Sequence, residues 1–376
     1  MSAFLSGAIG MGGSNLSISD AVPSAKVDRE GRRFLAIDLE NTMLRPEQLE
    51  QLADLYAEVF NEVEMIEPKW TPDTARGLLK ERLARPGSRL ALVDTAQKNR
   101  IVGGFFARIA PGPEGFNLTE PDVFISREYR GMRLGTEIGY VGRAYADEVS
   151  EGRFGEHIVR NLSQTYKAPD FPKSMWERHG YTLERLYVQA AREILDNKRP
   201  PASDVKIRIA EEADIDRLVH FMADSATQTS SGIGWNEHRA QAFLQYICAY
   251  NCRAITRIAE AGSRIVGFMA GDTIQRRSGS SLVNVHAFLS INTADGMQTM
   301  QALAHHTVEA ANTVSVSQSN RPVTEIEISE DAAIFFGSVF PSLREDNSFL
   351  NMAGDHNTIT RNLHPHGERK IHVVPS

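Results

Sequence analysis

The sequence has little cysteine, no long hydrophobic run and no basic amino terminus. Its 376 residues include two cysteines, Cys248 and Cys252, which excludes a disulfide-stabilised scaffold and a zinc site of four thiolates. No stretch of about 18 consecutive apolar residues occurs, so a transmembrane helix is not expected. Residues 1–20 contain no Lys or Arg and so lack the basic region of a secretory signal. Together these absences predict a cytoplasmic protein that does not associate with a membrane.

Positive charge is scarce relative to negative charge. The formal net charge is −7 and the pI is about 5.9, which disfavours nucleic-acid binding through a broad basic surface. We therefore expect no nucleic-acid partner. Four histidines near the carboxyl terminus show no fixed ligand spacing, so we predict a solvated polar tail and no metal. They are His356, His364, His366 and His372.

Composition divides the chain into two halves with a linker between them. Residues 1–30 are rich in Gly, Ser and Ala and bury too little apolar area to offset their ordering entropy, so they predict a flexible arm. The paired prolines Pro200 and Pro201 lie in a polar stretch that predicts a linker. The predicted segments are the arm at 1–30, a first domain at 31–195, the linker at 196–204, a second domain at 205–355 and an irregular tail at 356–376.

The two halves predict the same order of elements. Each has a strand, two helices, three antiparallel strands, a helix, a strand, a helix and a final strand. This order predicts an α+β fold in which helices cover both faces of a mixed, mostly antiparallel sheet. The quartet Arg-Ile-Val-Gly at 100–103 recurs at 264–267, which is 164 residues further along. The repeated order around the quartet indicates a duplicated domain.

The most informative segment is residues 123–136, a hydrophobic strand that enters a basic turn and then a helix. The N–H groups at a helix start are unpaired and carry partial positive charge. Gly131 and Gly135 let a ligand approach the backbone, and Arg127, Arg130 and Arg133 add full charges. This arrangement suits a pyrophosphate, although the turn alone supports a plain basic turn equally well. Neither the dinucleotide-binding glycine pattern nor the phosphate-loop pattern occurs.

After this strand, the stretch from Arg130 to Thr136 resembles the acetyl-CoA-binding motif of the GCN5-related N-acetyltransferase (GNAT) family. That motif is Gln/Arg-x-x-Gly-x-Gly/Ala, and Arg133 stands where its first glycine is usual. Trp176 to Tyr181 resembles the late helix of the family and the glycine–aromatic pair that follows it. The resemblance covers about residues 34–190, with a weaker copy over about 205–352. It implies two tandem GNAT-like domains, of which the second is degenerate.

The resemblance also implies that acetyl-CoA is the co-substrate and which residues hold it. Backbone groups of the fourth strand would bind the pantetheine arm, and one of their N–H groups would stabilise the thioester oxyanion. The turn and the helix start would bind the pyrophosphate. The implied cofactor residues are Phe124, Ile125, Ser126, Arg130, Gly131, Met132, Arg133, Leu134, Gly135 and Thr136.

Acetyl transfer to an amine also calls for proton transfer. An amine is mostly protonated at neutral pH, so a base is useful, and Glu120 is the first candidate with Asp122 second. Both also fit ordinary solvated carboxylates at a strand end. Trp176 occupies the position of the tyrosine that, by the resemblance, protonates the departing thiolate. Tyr166 and Tyr181 are possible substitutes, although core or rim aromatics are the simpler interpretation.

Two further segments bear on the acceptor. The loop at 61–67 carries three carboxylates that either help to bind a cationic acceptor or form a solvated face. The second half has Asn292, Thr293 and Asp295 where the first half has its basic turn, and an aspartate repels phosphate. The leading hypothesis is an N-acetyltransferase with one cofactor site and an amine-bearing acceptor, either a small molecule or a protein, with oligomerisation possible. The alternative is a non-catalytic binding or assembly protein that docks through its tails.

Overall fold

The computed structural model describes most of the chain between residues 32 and 363. The described stretches are 32–38, 44–64, 68–85, 87–95, 100–166, 173–197, 204–248, 252–276, 279–291, 295–340, 342–346 and 349–363. The predicted arm at 1–30 and the centre of the predicted linker, 198–203, lie outside them, as do three of the four histidines near the carboxyl terminus. Within these stretches, no helix is both long and apolar enough to cross a membrane.

The first half follows the predicted order of elements. Local sequence explains individual boundaries: Thr71 caps α2 in a reciprocal pair of hydrogen bonds with Thr74, and Pro72 fits the first helical turn. The elements are β1 (Arg32–Asp38), α1 (Pro46–Glu64), α2 (Pro72–Leu83), β2 (Ser88–Thr95), β3 (Arg100–Pro111), β4 (Phe116–Ile125), α3 (Leu134–Phe154), β5 (Ile158–Tyr166), α4 (Lys173–Arg178), β6 (Thr182–Glu184), β7 (Leu186–Ala190) and α5 (Ala191–Asp196).

The second half repeats this order, even in its backbone irregularities. Glu120 and Asn284 occupy corresponding positions in β4 and β12, and both have a positive φ, of 55° and 50°. The elements are β8 (Val205–Ile209), α6 (Ile215–Ala223), β9 (Thr227–Thr229), α7 (Glu237–Cys248), α8 (Cys252–Ile255), β10 (Arg257–Ala261), β11 (Arg264–Gln275), β12 (Ser280–Ser290), α9 (Gly296–Ser319), β13 (Val323–Ser329), α10 (Glu330–Val339), β14 (Arg344–Glu345), β15 (Phe349–Asp355) and α11 (His356–Leu363).

The strands form two mixed sheets, which confirms the predicted fold class. The first has the order β1-β2-β3-β4-β5-β15-β6, and the second has the order β14-β7-β13-β12-β11-β10-β8. The parallel pairs are β4 with β5 and β12 with β13, and the remaining pairs are antiparallel. Helix α3 packs on the first sheet through Leu134, Ile138 and Ala146, while α1 and α2 pack on it through a separate core.

The final strands of the two halves are exchanged. β15, near the end of the chain, lies between β5 and β6 of the first sheet, while β7 pairs with β13 in the second sheet. Ile274 and Val283 of the second half also join the core beneath α1 and α2. Strands therefore cross the predicted boundaries at 31–195 and 205–355 in both directions, and each sheet is completed by the other half.

The prediction of an irregular tail from residue 356 is wrong for residues 356–363. These residues form α11, whose Ile359 packs with Tyr181 and Met352. His356 is 1% exposed, and its Nδ1 lies 3.0 Å from the side-chain nitrogen of Asn161. Burial lowers the pKa of His356 to about 4, so this histidine is neutral at physiological pH rather than solvated and titrating.

Candidate active site

β4 and β5 pair briefly and then separate. The parallel pairing joins Phe116–Thr119 to Ile158–Leu162, and beyond Thr119 β4 pairs only with β3 among the described residues. Glu120, with its positive φ, lies where the two strands diverge. Among the described residues, the backbone of residues 120–125 therefore has an opening rather than a strand on its β5 side, which is the strand arrangement that the family resemblance implies.

The start of α3 lies beside this opening. Among the described residues no side chain caps the helix, and the amides of Leu134, Gly135 and Thr136 have no acceptor within it. They carry the partial positive charge of the helix terminus. A Cβ placed on Gly135 would lie 3.6 Å from Ile125 Cγ1 and 3.7 Å from Val123 Cγ1. The uncapped helix start and the open strand edge therefore form one continuous surface.

The turn before α3 explains the unusual motif. Arg133, at the usual position of glycine, has φ 59° and ψ 7°, the left-handed conformation that glycine adopts without strain. Its side chain is exposed, and Met132 beside it is 50% exposed. Gly131 also has a positive φ, of 80°. The sequence thus keeps the turn geometry of the motif although one glycine is replaced.

Arg130 is placed differently from the expectation that it binds the pyrophosphate. Its Nε donates a hydrogen bond to the carbonyl oxygen of Ile125 at 3.1 Å, and its Nη1 lies 3.0 Å from Glu62 Oε2 on α1. The guanidinium therefore ties the end of β4 to α1. In this conformation Arg130 is engaged by oxygen atoms of the protein, whereas the amides at the start of α3 have no partner within their helix.

Two of the predicted cofactor residues at the end of β4, Phe124 and Ser126, are anchored by buried side chains and by backbone pairing with β3. Phe124 is 1% exposed, and its ring lies 5.7 Å from that of Tyr56. Ser126 is also buried, and its N–H donates to the carbonyl oxygen of Val102 at 2.9 Å. The side chains thus anchor the strand, which leaves its free edge for a ligand.

Glu120 faces two buried arginines. Its carboxylate oxygens lie 3.7 Å from Arg82 Nε and 3.6 Å from Arg108 Nη2, and neither nitrogen has a hydrogen-bond partner. Burial by itself raises the pKa of Glu120, but the charges of Arg108 and Arg82 outweigh it and lower the pKa to about 2. A carboxylate with so low a pKa is a weak base near neutral pH.

Asp122 lies two residues after Glu120 on β4, and its charged neighbours differ from those of Glu120. It accepts a hydrogen bond from Arg82 Nη1, and the hydroxyl of Tyr56 lies 3.5 Å from it. Burial raises the pKa of Asp122, and the contact with Arg82 opposes this shift without cancelling it. Of the two predicted carboxylates, Asp122 is therefore the stronger proton acceptor.

Arg108 and its neighbour Arg85 are held by a carboxylate of the second half. Arg108 Nη1 donates to Asp272 Oδ2 at 2.7 Å, and Arg85 Nη1 lies 3.0 Å from the same oxygen. Arg108 and Asp272 are 164 residues apart, so the pair joins corresponding positions of the two halves. Our sequence interpretation missed this pair. The offset of the repeated quartet identified the two positions as equivalent, but not as neighbours.

Tyr181, one of the two candidate acids, is packed into the core. Trp176 makes an edge contact with Tyr181, with ring centroids 5.0 Å apart. Tyr181 is 3% exposed, and its hydroxyl accepts a hydrogen bond from Arg143 Nη2 at 2.8 Å. The side chain of Tyr166 lies outside the described residues. Tyr181 therefore fits the core interpretation better than that of a proton donor.

The predicted acceptor loop is shorter than expected, because α1 continues to Glu64. The side chain of Asn61 forms two 2.7 Å hydrogen bonds with the backbone of Trp70, which joins the end of α1 to the start of α2. Residues 65–67 lie outside the described part.

Potential metal ligands meet on α9. His305, His306 and Glu309 have ligand atoms within 4.8 Å of one another. His306 Nδ1 lies 3.7 Å from Glu309 Oε2, which is the distance of an ordinary ion pair at a helix surface. The absence of a metal remains a prediction.

The second half differs at the strand edge where the first half is open. β12 pairs with β13 only from Ser280 to Leu282, but β9 then pairs with its end, setting Thr229 opposite Phe288. The N–H of Ile291 also donates to the carbonyl oxygen of Ala226 at 2.9 Å. Asp295 is the residue before α9, while Asn292 and Thr293 lie outside the described residues. This edge is therefore already occupied by the chain itself.

Solved structures resemble this chain over most of its length. A tandem GNAT protein from the clavulanic acid biosynthesis pathway is 11% identical, with a TM-score of 0.50, and the match covers 86% of this chain and 98% of that chain. The chain has the GNAT fold. A GCN5-related N-acetyltransferase from Sphaerobacter thermophilus is 13% identical with a TM-score of 0.46, and the match covers 86% of this chain and 96% of that one. N-myristoyltransferase from Saccharomyces cerevisiae is 12% identical with a TM-score of 0.47, and the match covers 90% of this chain and 82% of that one.

Comparison of the sequence itself with known families and proteins finds no match. No family profile matches the chain, and no curated protein matches it in sequence. At these low identities, the structural similarity establishes the GNAT fold and leaves activity to be argued from the site.

Proposed function

We propose that this GNAT-fold chain is an N-acetyltransferase that binds acetyl-CoA in its first half and transfers the acetyl group to an amine. The observation that carries the proposal is the opening between β4 and β5 next to the uncapped start of α3. An open strand edge and a helix terminus fit the two chemically different parts of one ligand. The edge offers hydrogen bonds to the amide groups of pantetheine, and the helix start offers partial positive charge to the diphosphate.

In this proposal, different residues of the first half bind the diphosphate and the pantetheine arm of acetyl-CoA. The amides of Leu134, Gly135 and Thr136 bind phosphate, with the exposed Arg127 and Arg133 adding positive charge nearby. The backbone groups of Val123 and the N–H of Ile125, which point away from β3, hold the pantetheine arm, and an N–H of this edge stabilises the oxyanion that forms on the thioester.

Proton transfer in this proposal centres on Asp122 rather than Glu120. Asp122 has the higher proton affinity, because burial raises its pKa whereas the arginines hold the pKa of Glu120 at about 2. We infer that Asp122 receives the proton of the amine, directly or through water, and that Glu120 stays ionised and orients Arg82 and Arg108. Since Tyr181 is buried beneath Arg143, the departing thiolate takes its proton from water.

The second half has a different role in this proposal. Its corresponding edge is occupied by β9, and Asp295 stands at the start of its helix. An aspartate about 4 Å from a phosphate opposes binding by about 1 kcal/mol even in water-like dielectric. We propose that the second half binds no acetyl-CoA and instead supplies β15 and Asp272 to the first.

The alternative function is a non-catalytic GNAT-fold binding protein. The strong ion pairing of Glu120 and the burial of Tyr181 favour it, because both remove side chains that would serve proton transfer. This protein would bind acetyl-CoA as a ligand or not at all.

Calorimetric titration followed by an acceptor screen tests the proposal. Titration with acetyl-CoA should give one site per chain, and a panel of small amines and amine-bearing peptides should release free thiol with at least one member. One bound acetyl-CoA with no thiol release above the rate in water would support the binding protein instead. Two sites per chain would contradict the assignment of a silent second half.

A further inference from the structure

The second half contains a cavity close to the elements that would bind cofactor in the first half. Its volume is about 360 Å³, and it lies between β9, the end of β12, the start of α9 and one face of α10. This volume falls within the range of about 300–1,000 Å³ that is usual for small-molecule sites. It is thus large enough for a ligand of its own.

The walls of this cavity are of two kinds. One wall is apolar and consists of Leu289, Met297, Met300, Ile334, Phe335 and Val339. The other wall carries hydroxyl and amide groups, from Gln228, Thr229, Ser230, Ser231 and Ser338. Among the described residues that line the cavity, Asp331 is the one charged side chain. The lining thus combines an apolar surface with hydrogen-bonding groups and a single negative charge.

Part of the apolar wall is unusually exposed. Ile334 is 90% exposed and Met297 is 44% exposed, while Ile291, at the nearby end of β12, is 66% exposed. Clustered exposed apolar side chains around a concavity are typical of ligand-binding surfaces. A ligand that covered Ile334 and Met297 would remove their apolar area from water, which favours binding.

Charge argues against a nucleotide and for a cation in this cavity. In the first half Arg133 directly precedes α3. The second half has Met297 at the start of α9 instead, so it lacks this positive charge. Glu330 and Asp331 lie in the first turn of α10 and offset the positive end of that helix. β9 already uses the strand edge that a pantetheine arm would need. The start of α9 carries partial positive charge of its own, but at the α10 end of the site Asp331 opposes a phosphate and attracts a positive group.

We propose that this cavity binds a small amphipathic cation, an alkyl- or arylammonium compound whose apolar body lies on Met297 and Ile334 and whose ammonium group faces Asp331. This site is separate from the one proposed for acetyl-CoA and does not depend on the proposed activity.

Methionine methyl NMR on the full chain tests the proposal directly. The chain has 11 methionines, of which Met297 and Met300 line the cavity and Met132 lies on the turn of the first half. Titration with n-octylammonium should shift the Met297 and Met300 methyl signals and leave Met132 unchanged. Octanoate has the same chain length and the opposite charge, and should bind about tenfold more weakly. Shortening the alkyl group from octyl to hexyl should weaken binding by roughly fourfold per methylene.

Three variants separate the charge and apolar contributions. Asp331→Lys should reverse the preference, so that octanoate binds better than octylammonium. Ile334→Ser should weaken octylammonium binding by about tenfold without changing stability, because Ile334 is exposed in the free protein. Ile209→Ser is the matched control, since Ile209 is a 49% exposed isoleucine on β8 outside the cavity. Equal affinity for the two probes, an unchanged preference in Asp331→Lys, or equal effects of the two isoleucine variants would overturn the proposal.

Discussion

A set of substitutions at Gly135 tests whether a diphosphate binds at the start of α3. A Cβ at this position would meet Ile125 and Val123 at 3.6 and 3.7 Å, which are ordinary van der Waals distances. Gly135→Ala should therefore fold normally. Gly135→Asn and Gly135→Asp have nearly the same shape and differ in one negative charge. Their difference in acetyl-CoA affinity isolates the electrostatic part of binding.

The size of that difference follows from Coulomb's law. Two unit charges about 4 Å apart repel by about 1 kcal/mol in bulk water and by about 4 kcal/mol at the effective dielectric constant near a protein surface. These energies correspond to about a fivefold and about a 900-fold loss of affinity. We expect Gly135→Asp to bind acetyl-CoA at least tenfold more weakly than Gly135→Asn.

Stability should change in the opposite direction. An aspartate in the first turn of a helix is stabilised by the helix dipole, typically by about 0.3–1 kcal/mol. Gly135→Asp should therefore unfold at the same urea concentration as Gly135→Asn, or at a higher one. A loss of binding in the more stable variant is not explained by misfolding.

Titration calorimetry at low and high salt completes the test. The Debye length falls from about 10 Å at 0.1 M salt to about 3 Å at 1 M, so the difference between the Asp and Asn variants should shrink as salt rises. Equal dissociation constants for these two variants at low salt would refute the placement of the diphosphate at this helix.

Three further predictions address the buried charges and the exchanged strand. Glu120→Gln should lower the free energy of unfolding at pH 7 by about 3 kcal/mol, because the folded-state pKa is depressed from 4.5 to about 2. This contribution is present above pH 4.5 and is lost as pH falls towards 2, so urea unfolding of the two proteins should converge in acid. Asp272→Asn should cost about 3–5 kcal/mol because it removes the carboxylate that the buried Arg108 and Arg85 share, and the double variant with Arg108→Met should cost less than the sum of the single changes. Deletion of residues 349–376 should abolish acetyl-CoA binding in the first half because it removes β15, whereas a deletion that starts at residue 364 should not; binding retained without β15 would contradict the need for the exchanged strand.

The order of elements and the turn before α3 could be predicted from sequence because both are local. Apolar residues recur at helical spacing through α1, and hydrophobic strands precede each turn, so the pattern itself carries the information. The turn before α3 is equally local, since it depends on Gly131, Gly135 and neighbouring arginines within one short segment. The repeat at 100–103 and 264–267 is too short to indicate a duplication by itself, so that prediction depended on the repeated order of elements around it.

The strand exchange was decided only in three dimensions. Alternation of apolar residues tells which face of a strand is buried, but it does not tell which strand lies beside it. The sequence pattern therefore predicts β7 and β15 as the last strands of their own halves, although each pairs in the sheet of the other half. For the same reason the sequence predicted His356 in a polar tail. In the structure His356 begins α11, which follows β15 and packs against the first half.

The electrostatics of the site also came from the tertiary structure. Glu120 and Asp122 are two residues apart and looked alike in sequence, yet their pKa values move in opposite directions. The cause is the placement of Arg82 and Arg108, which come from α2 and β3, and of Asp272, which comes from the other half. The sequence determines which residues can carry a charge. The pKa of such a residue depends on its burial and on its distance from other charges, which only folding brings together.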